Sequence, residues 1–84
     1  NNIKTIAADF EKVFSDKLKA SERSGNFTKI EELGKEITNY GVKHNCKEIE
    51  AYGNEFQNAC SAFDIEHLAS LFRKFPYFIK DLSK

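Results

Sequence analysis

The sequence predicts an all-α domain, an antiparallel up-and-down four-helix bundle, and three observations lead there. Apolar residues recur at three-and-four spacing through four successive stretches. Short polar breaks between the stretches hold residues suited to capping helices. Strand-like alternation is nowhere sustained. At 84 residues the chain reads as one domain, 1–84, of a size that buries roughly 60% of its unfolded surface.

The first helix is expected over residues 3–22, where Ile3, Ile6, Ala7, Phe10, Val13, Phe14 and Leu18 form one face among Lys, Glu and Asp. Ser21, Ser24 and Gly25 interrupt it. Asn26 can accept backbone N–H bonds as cap of the second helix, with Glu31 and Glu32 near the positive end of its dipole. The inner side of that helix carries Ile30, Leu33, Ile37 and Tyr40, beside Gly41 and His44. Asn45, with Glu48 three residues on, reads as a capping box that opens the third helix. There Ile49, Tyr52, Phe56, Ala59, Cys60 and Phe63 share a face, and Gly53 is tolerable where a neighbouring helix approaches closely.

Asp64 caps the fourth stretch, with Ile65, Leu68, Leu71, Phe72, Phe75, Ile79 and Leu82. Pro76 interrupts it and predicts a kink near residues 72–76 or a new short helix opening there. Phe75, Tyr77 and Phe78 cannot all face one stripe, so at least one is half exposed. The expected central core is Phe10, Phe14, Leu33, Ile37, Tyr52, Phe56, Phe63, Leu68 and Phe72.

Composition excludes several functions. Thirteen basic and thirteen acidic residues cancel, so no overall field recruits nucleic acid or anionic lipid. Lys43 and Lys47 make only a small patch, and Arg73, Lys74 and Lys80 alternate with aromatics that core packing explains. No stretch approaches the roughly 20 apolar residues of a membrane span, and the start has neither a basic nor an apolar leader region. The expectation is a soluble, cytoplasmic segment with neither nucleic acid nor membrane as partner. Because it begins at Asn1 and runs straight into helical sequence, it reads as part of a longer multidomain protein.

Cys46 and Cys60 are too few for a disulfide framework. On one helix they stand about 21 Å apart, too far to bridge, and so are expected as reduced thiols. His44 lies two residues from Cys46 without a third group to orient it. His67 reads as a surface residue. Neither histidine shares a face with a Cys or an acidic pair at metal-ligand spacing, so no metal and no cofactor is expected.

The order of caps and helices resembles the histidine-containing phosphotransfer (HPt) family of two-component phosphorelays. That family opens its second helix with a Gly-Asp turn and carries His-x-x-Lys-Gly midway along it. Laid on this chain without gaps, Gly25-Asn26 match the turn, Lys35 falls on the histidine, Thr38 on the Lys and Asn39 on the Gly. Further on, Gly41 meets a small position, Asn45 meets the turn before the next helix, and Asp64 meets a second Gly-Asp turn in which Phe63 replaces the Gly. The resemblance spans roughly residues 10 to 80 and implies a helical module that exchanges phosphoryl groups with the aspartate of a receiver domain.

The departures bear on that chemistry. A lysine ammonium has no free lone pair to attack phosphorus, and Asn39 adds bulk where the Gly leaves room for a receiver. Lys35 is instead expected to pair at i,i+4 with Glu31. The favoured function is therefore a non-catalytic, HPt-like protein-interaction or scaffolding module of a signalling protein. Its partner would be a receiver, a neighbouring signalling domain or a second copy. The expected partner faces are the outer side of the second helix, around Glu31, Lys35, Thr38, Asn39 and Val42, and the tail around Phe75, Tyr77 and Phe78 if Pro76 turns it outward. The alternatives are an active phosphotransfer domain using His44, which Lys47 follows in an echo of His-x-x-Lys, and a structural or oligomerisation bundle with no signalling role.

Overall fold

The computed structural model, which describes residues 2–84, contains five helices: α1 (Ile3–Ser24), α2 (Phe27–Lys43), α3 (Lys47–Ser61), α4 (Ile65–Arg73) and α5 (Phe75–Leu82). The all-α class stands, but the expected four-helix bundle does not, because the fourth apolar stretch is two helices. Pro76 lacks an N–H and has a fixed φ, which suits the first turn of a helix and breaks an interior. At Lys74 the backbone N–H closes α4 on the Ser70 carbonyl at 3.0 Å, while its own carbonyl accepts the Phe78 N–H at 2.8 Å to open α5. The radius of gyration is 11.9 Å, close to the ~12 Å of a compact chain of this length.

Helices α2 and α3 form the tightest pair. Gly41 meets Glu50, Thr38 meets Gly53 and Gly34 meets Phe56, so residue numbers run in opposite senses and the helices are antiparallel. Contact this close requires glycine. A Cβ on Gly53 would collide with the Thr38 backbone nitrogen and stand 2.6 Å from the Gly34 oxygen, and one on Gly41 would stand 2.7 Å from Glu50 Cα. Helix α1 lies antiparallel on α2, with Lys17 beside Glu36 at the middle of α2 and Asp9 beside Tyr40 near its C-terminal end. Helix α5 folds back along α1, setting Phe75 and Phe78 5.9 and 6.1 Å from the Phe10 ring.

The middle of the core is Phe10, Ile37, Ile49, Tyr52, Phe56 and Leu71, each at most 1% exposed. Tyr52 is the polar member. Its hydroxyl donates to the Leu71 carbonyl at 2.7 Å, which satisfies a group that would otherwise make burial costly. Eight of the nine expected core residues are buried. The ninth, Phe63, is 70% exposed, and Ile65 (69%) and Val13 (41%) also lie outside the core.

Phe63 is exposed because of how α3 ends. The Asp64 N–H bonds to the Ala59 carbonyl (2.9 Å) and the Phe63 N–H to that of Cys60 (3.1 Å), a Schellman closure whose left-handed residue is Phe63 at φ 52°. That turn carries the ring off the helix face. The end of α2 closes the same way, with Cys46 N–H on Gly41 (2.8 Å), Asn45 N–H on Val42 (3.1 Å) and Asn45 at φ 54°. The expected Asn45–Glu48 capping box is therefore absent. Asn45 terminates α2, and Cys46 becomes the N-cap of α3 without a side-chain bond to its backbone. Asn26 and Asp64 do cap as expected, accepting the Lys29 N–H at 3.1 Å and the His67 N–H at 3.0 Å.

Candidate functional site

The outer face of α2 carries the positions singled out by sequence. Lys35 is exposed and, among the described residues, in no ion pair, so the expected pair with Glu31 does not form. The ion pair made by this helix is instead Glu36 with Lys17 of α1 at 2.8 Å. Thr38 is half-buried in the α2–α3 seam. Its hydroxyl lies 2.9 Å from the Gly34 carbonyl and 3.3 Å from Asn54 Oδ1, and it accepts from Gln57 Nε2 at 3.0 Å. Asn39 and Val42 are exposed and Glu31 is half-buried. Of the three positions singled out in the sequence, Lys35 is exposed, Thr38 is held between helices and Asn39 is exposed.

His44 sits at the C-terminal cap of α2, its ring centroid 4.2 Å from that of Tyr40. The two rings, with Thr5, Asp9 and Lys43, border a cleft of about 510 Å³. The Tyr40 hydroxyl donates to Asp9 Oδ2 at 2.6 Å, and burial together with that carboxylate pushes its pKa well above the ordinary phenol range. Asp9 thus orients the tyrosine rather than the histidine. The echo between His44 and Lys47 is broken by the Schellman turn, which leaves His44 as the C-cap of α2 and Lys47 as the first residue of α3. His67 Nε2 faces Glu55 Oε1 at 3.4 Å, and Glu55 Oε2 also meets Lys74 Nζ at 3.7 Å, so this cluster ties both ends of α4 to α3.

Both thiols are free and buried. Burial raises the pKa of each, with the Glu31 charge adding to the effect at Cys60. Cys46 Sγ is 3.6 Å from Glu48 Oε1, and Cys60 Sγ donates to the Phe27 carbonyl at 3.7 Å. Thiols held protonated in this way are poor nucleophiles. No group of three or more His, Cys, Asp and Glu side chains among the described residues could hold a metal. No helix there is long and apolar enough to cross a membrane.

Pro76 does not turn the tail outward, so the aromatic face that depended on such a turn does not form. Phe75 is buried and Phe78 stacks on Tyr52 at 4.5 Å, so only Tyr77, 68% exposed, points out. Pro76 starts a helix that lies along α1 and turns two of the three rings inward. A second exposed apolar surface is one that helical spacing hid, because Phe63 and Ile65, 70% and 69% exposed, both fall on core-facing periods. Phe63 packs edge-on against half-buried Phe27 at 5.4 Å, and Ile65 stands beside them. The available signal was Phe63 itself, a bulky residue at the place where the resembling family turns on a Gly. No family model matches the chain, and no curated protein and no solved structure matches it.

Proposed function

We propose that this all-helical, compact domain is a non-catalytic protein-interaction module, HPt-like in frame and without the phosphoryl-accepting histidine. The observation that carries the reading is Lys35: midway along α2, where the resemblance aligns the family's histidine, stands an exposed side chain in no ion pair among the described residues. A protonated amine there cannot attack a phosphoryl group. Thr38, at the position of the assisting Lys, supplies no positive charge and is engaged by Gln57 and Asn54. What remains on this face is an addressable polar surface with Val42 at its edge, 60% exposed. Such a surface suits docking of a receiver or neighbouring signalling domain without transfer.

The test is phosphoryl uptake. The domain is incubated with phosphoramidate and, separately, with a phosphorylated receiver domain, and acid-labile phosphate is read by intact mass. The expected result is an unchanged mass. Stoichiometric label lost in His44→Ala would establish the active phosphotransfer domain instead.

A further inference from the structure

The end of the molecule farthest from the α2–α3 turn carries an apolar groove of about 230 Å³, formed by the α1–α2 turn and the length of α4 from Ile65 to Phe72. Leu68 and Phe72 are its buried floor, Phe27 and Ile30 one wall, Ile65 the other, and Glu22 its one charged lining residue. Phe63 does not line the groove but leans on its wall residue Phe27. This volume lies below the roughly 300–1,000 Å³ of sites that enclose a small molecule. It suits one or two apolar side chains of a larger partner.

Two anomalies coincide at Phe63. A bulky residue occupies a left-handed position that favours glycine, φ 52°, and its ring is 70% exposed. Neither helix formation nor core packing accounts for a phenylalanine there.

The charges around the groove select the occupant. At about 100° per residue, Glu31 lies on the same side of α2 as Phe27 and Lys29 on the far side. Glu66 adjoins Ile65. Glu22, Glu31 and Glu66 are in no ion pair among the described residues. Arg73 borders a different depression, with Ser70, Lys74 and Tyr77, and Arg23, in the last turn of α1, adjoins the lining carboxylate in sequence. A second copy docked face to face would set these carboxylates against their own equivalents. It would also cover only on the order of 300 Å² of apolar side chain on each partner, against the ~800 Å² of a stable interface.

We propose that this groove docks a basic amphipathic helix of a protein partner, with apolar residues one turn apart entering between Phe27 and Ile65 and flanking Lys or Arg meeting Glu22, Glu31 and Glu66. The site shares only Glu31 with the outer face of α2 and does not depend on the resemblance to phosphotransfer domains.

The probe is a fluorescein-labelled helical peptide of about 14 residues, four turns, with Leu at i, i+3 and i+7 and Lys on its flanks. A twin carries Glu on the flanks. Fluorescence anisotropy against the whole chain should show the Lys peptide binding at tens of micromolar, with Kd raised about tenfold by Phe63→Gly and by Glu22→Lys with Glu66→Lys. The Glu twin should not bind, and Tyr77→Ser should change nothing. Phe63→Gly removes the ring at a position glycine prefers, so thermal melting will show it folded and its loss of binding cannot be ascribed to unfolding. Equal binding of both peptides, unchanged affinity in Phe63→Gly, no binding of the Lys peptide, or sedimentation showing self-association abolished by Phe63→Gly would each overturn the proposal.

Discussion

Gly53 of α3 lies so close to Gly34 of α2 that a Cβ on Gly53 would stand 2.6 Å from the Gly34 carbonyl oxygen. The same Cβ would strike the Thr38 backbone nitrogen, so relief requires the two helices to separate. Gly53→Ala should therefore destabilise the domain by roughly 1–3 kcal/mol as overpacking, although alanine favours a helix by about 1 kcal/mol over glycine. Urea denaturation of the two proteins decides it. Equal or higher stability in the variant would mean the seam is not packed as described.

Phe56 is fully buried, with its ring 5.1 Å from those of both Tyr52 and Phe72. Phe56→Ala should cost about 3–5 kcal/mol, a large part of the stability of a domain this size. A loss below about 1 kcal/mol, the range of surface changes, would remove Phe56 from the core.

At Phe63 the expected sign is reversed. A non-glycine residue in the left-handed region costs about 1–3 kcal/mol, and a ring 70% exposed returns little of that through packing on Phe27. Phe63→Gly should stabilise the domain, by roughly 0.5 kcal/mol or more once the lost ring contact is subtracted. Calorimetric melting should show a higher Tm. A lower one would mean the ring is structural and would remove the reason for seeking a partner there.

Tyr52 sets an alkaline limit on stability. Burial, and secondarily the charge of Glu55, holds its hydroxyl proton well above the ordinary phenol value. The unfolded chain releases that proton near pH 10 and the folded chain resists, so the contribution is intact below about pH 10 and is lost above it, by up to about 1.4 kcal/mol per pH unit. Tyr52→Phe should lower stability near neutrality by about 1 kcal/mol, because the Leu71 carbonyl loses its donor, and should flatten the decline between about pH 9 and pH 11. Parallel declines in both proteins would show that other groups set the limit.

Much of this molecule was legible in its sequence where one physical cause acts alone. The apolar spacing of α1, α2 and α3 placed Phe10, Ile37, Tyr52 and Phe56 inward, and Asn26 and Asp64 cap as their side chains suggest. Reading failed where two causes compete for one residue. Asn45 suits both an N-cap and a left-handed helix end, and the backbone bonds that close α2 on Gly41 and Val42 prevailed. Phe63 continues the α3 period, but its backbone turns out of the helix first. Pro76 allowed either a kink or a new helix, and packing of Phe75 and Phe78 on Phe10 favoured a fifth helix lying along α1. The outer face of α2 was legible as a polar surface, though not that Thr38 is held by Gln57 and Asn54 rather than free for a partner.

The proposal of an HPt-like module without phosphotransfer chemistry is tested by asking whether that chemistry can be restored. The wild type, Lys35→His alone, and Lys35→His combined with Thr38→Lys and Asn39→Gly are incubated with phosphoramidate, and acid-labile phosphate is located by mass spectrometry of peptides. Imidazole alone lacks the neighbouring positive charge that steadies a phosphoryl group, so the single variant should label weakly. The account predicts no label on the wild type and label confined to the introduced imidazole of the triple variant. Label on His44 or His67 of the wild type, or a folded triple variant that takes up none, would contradict it.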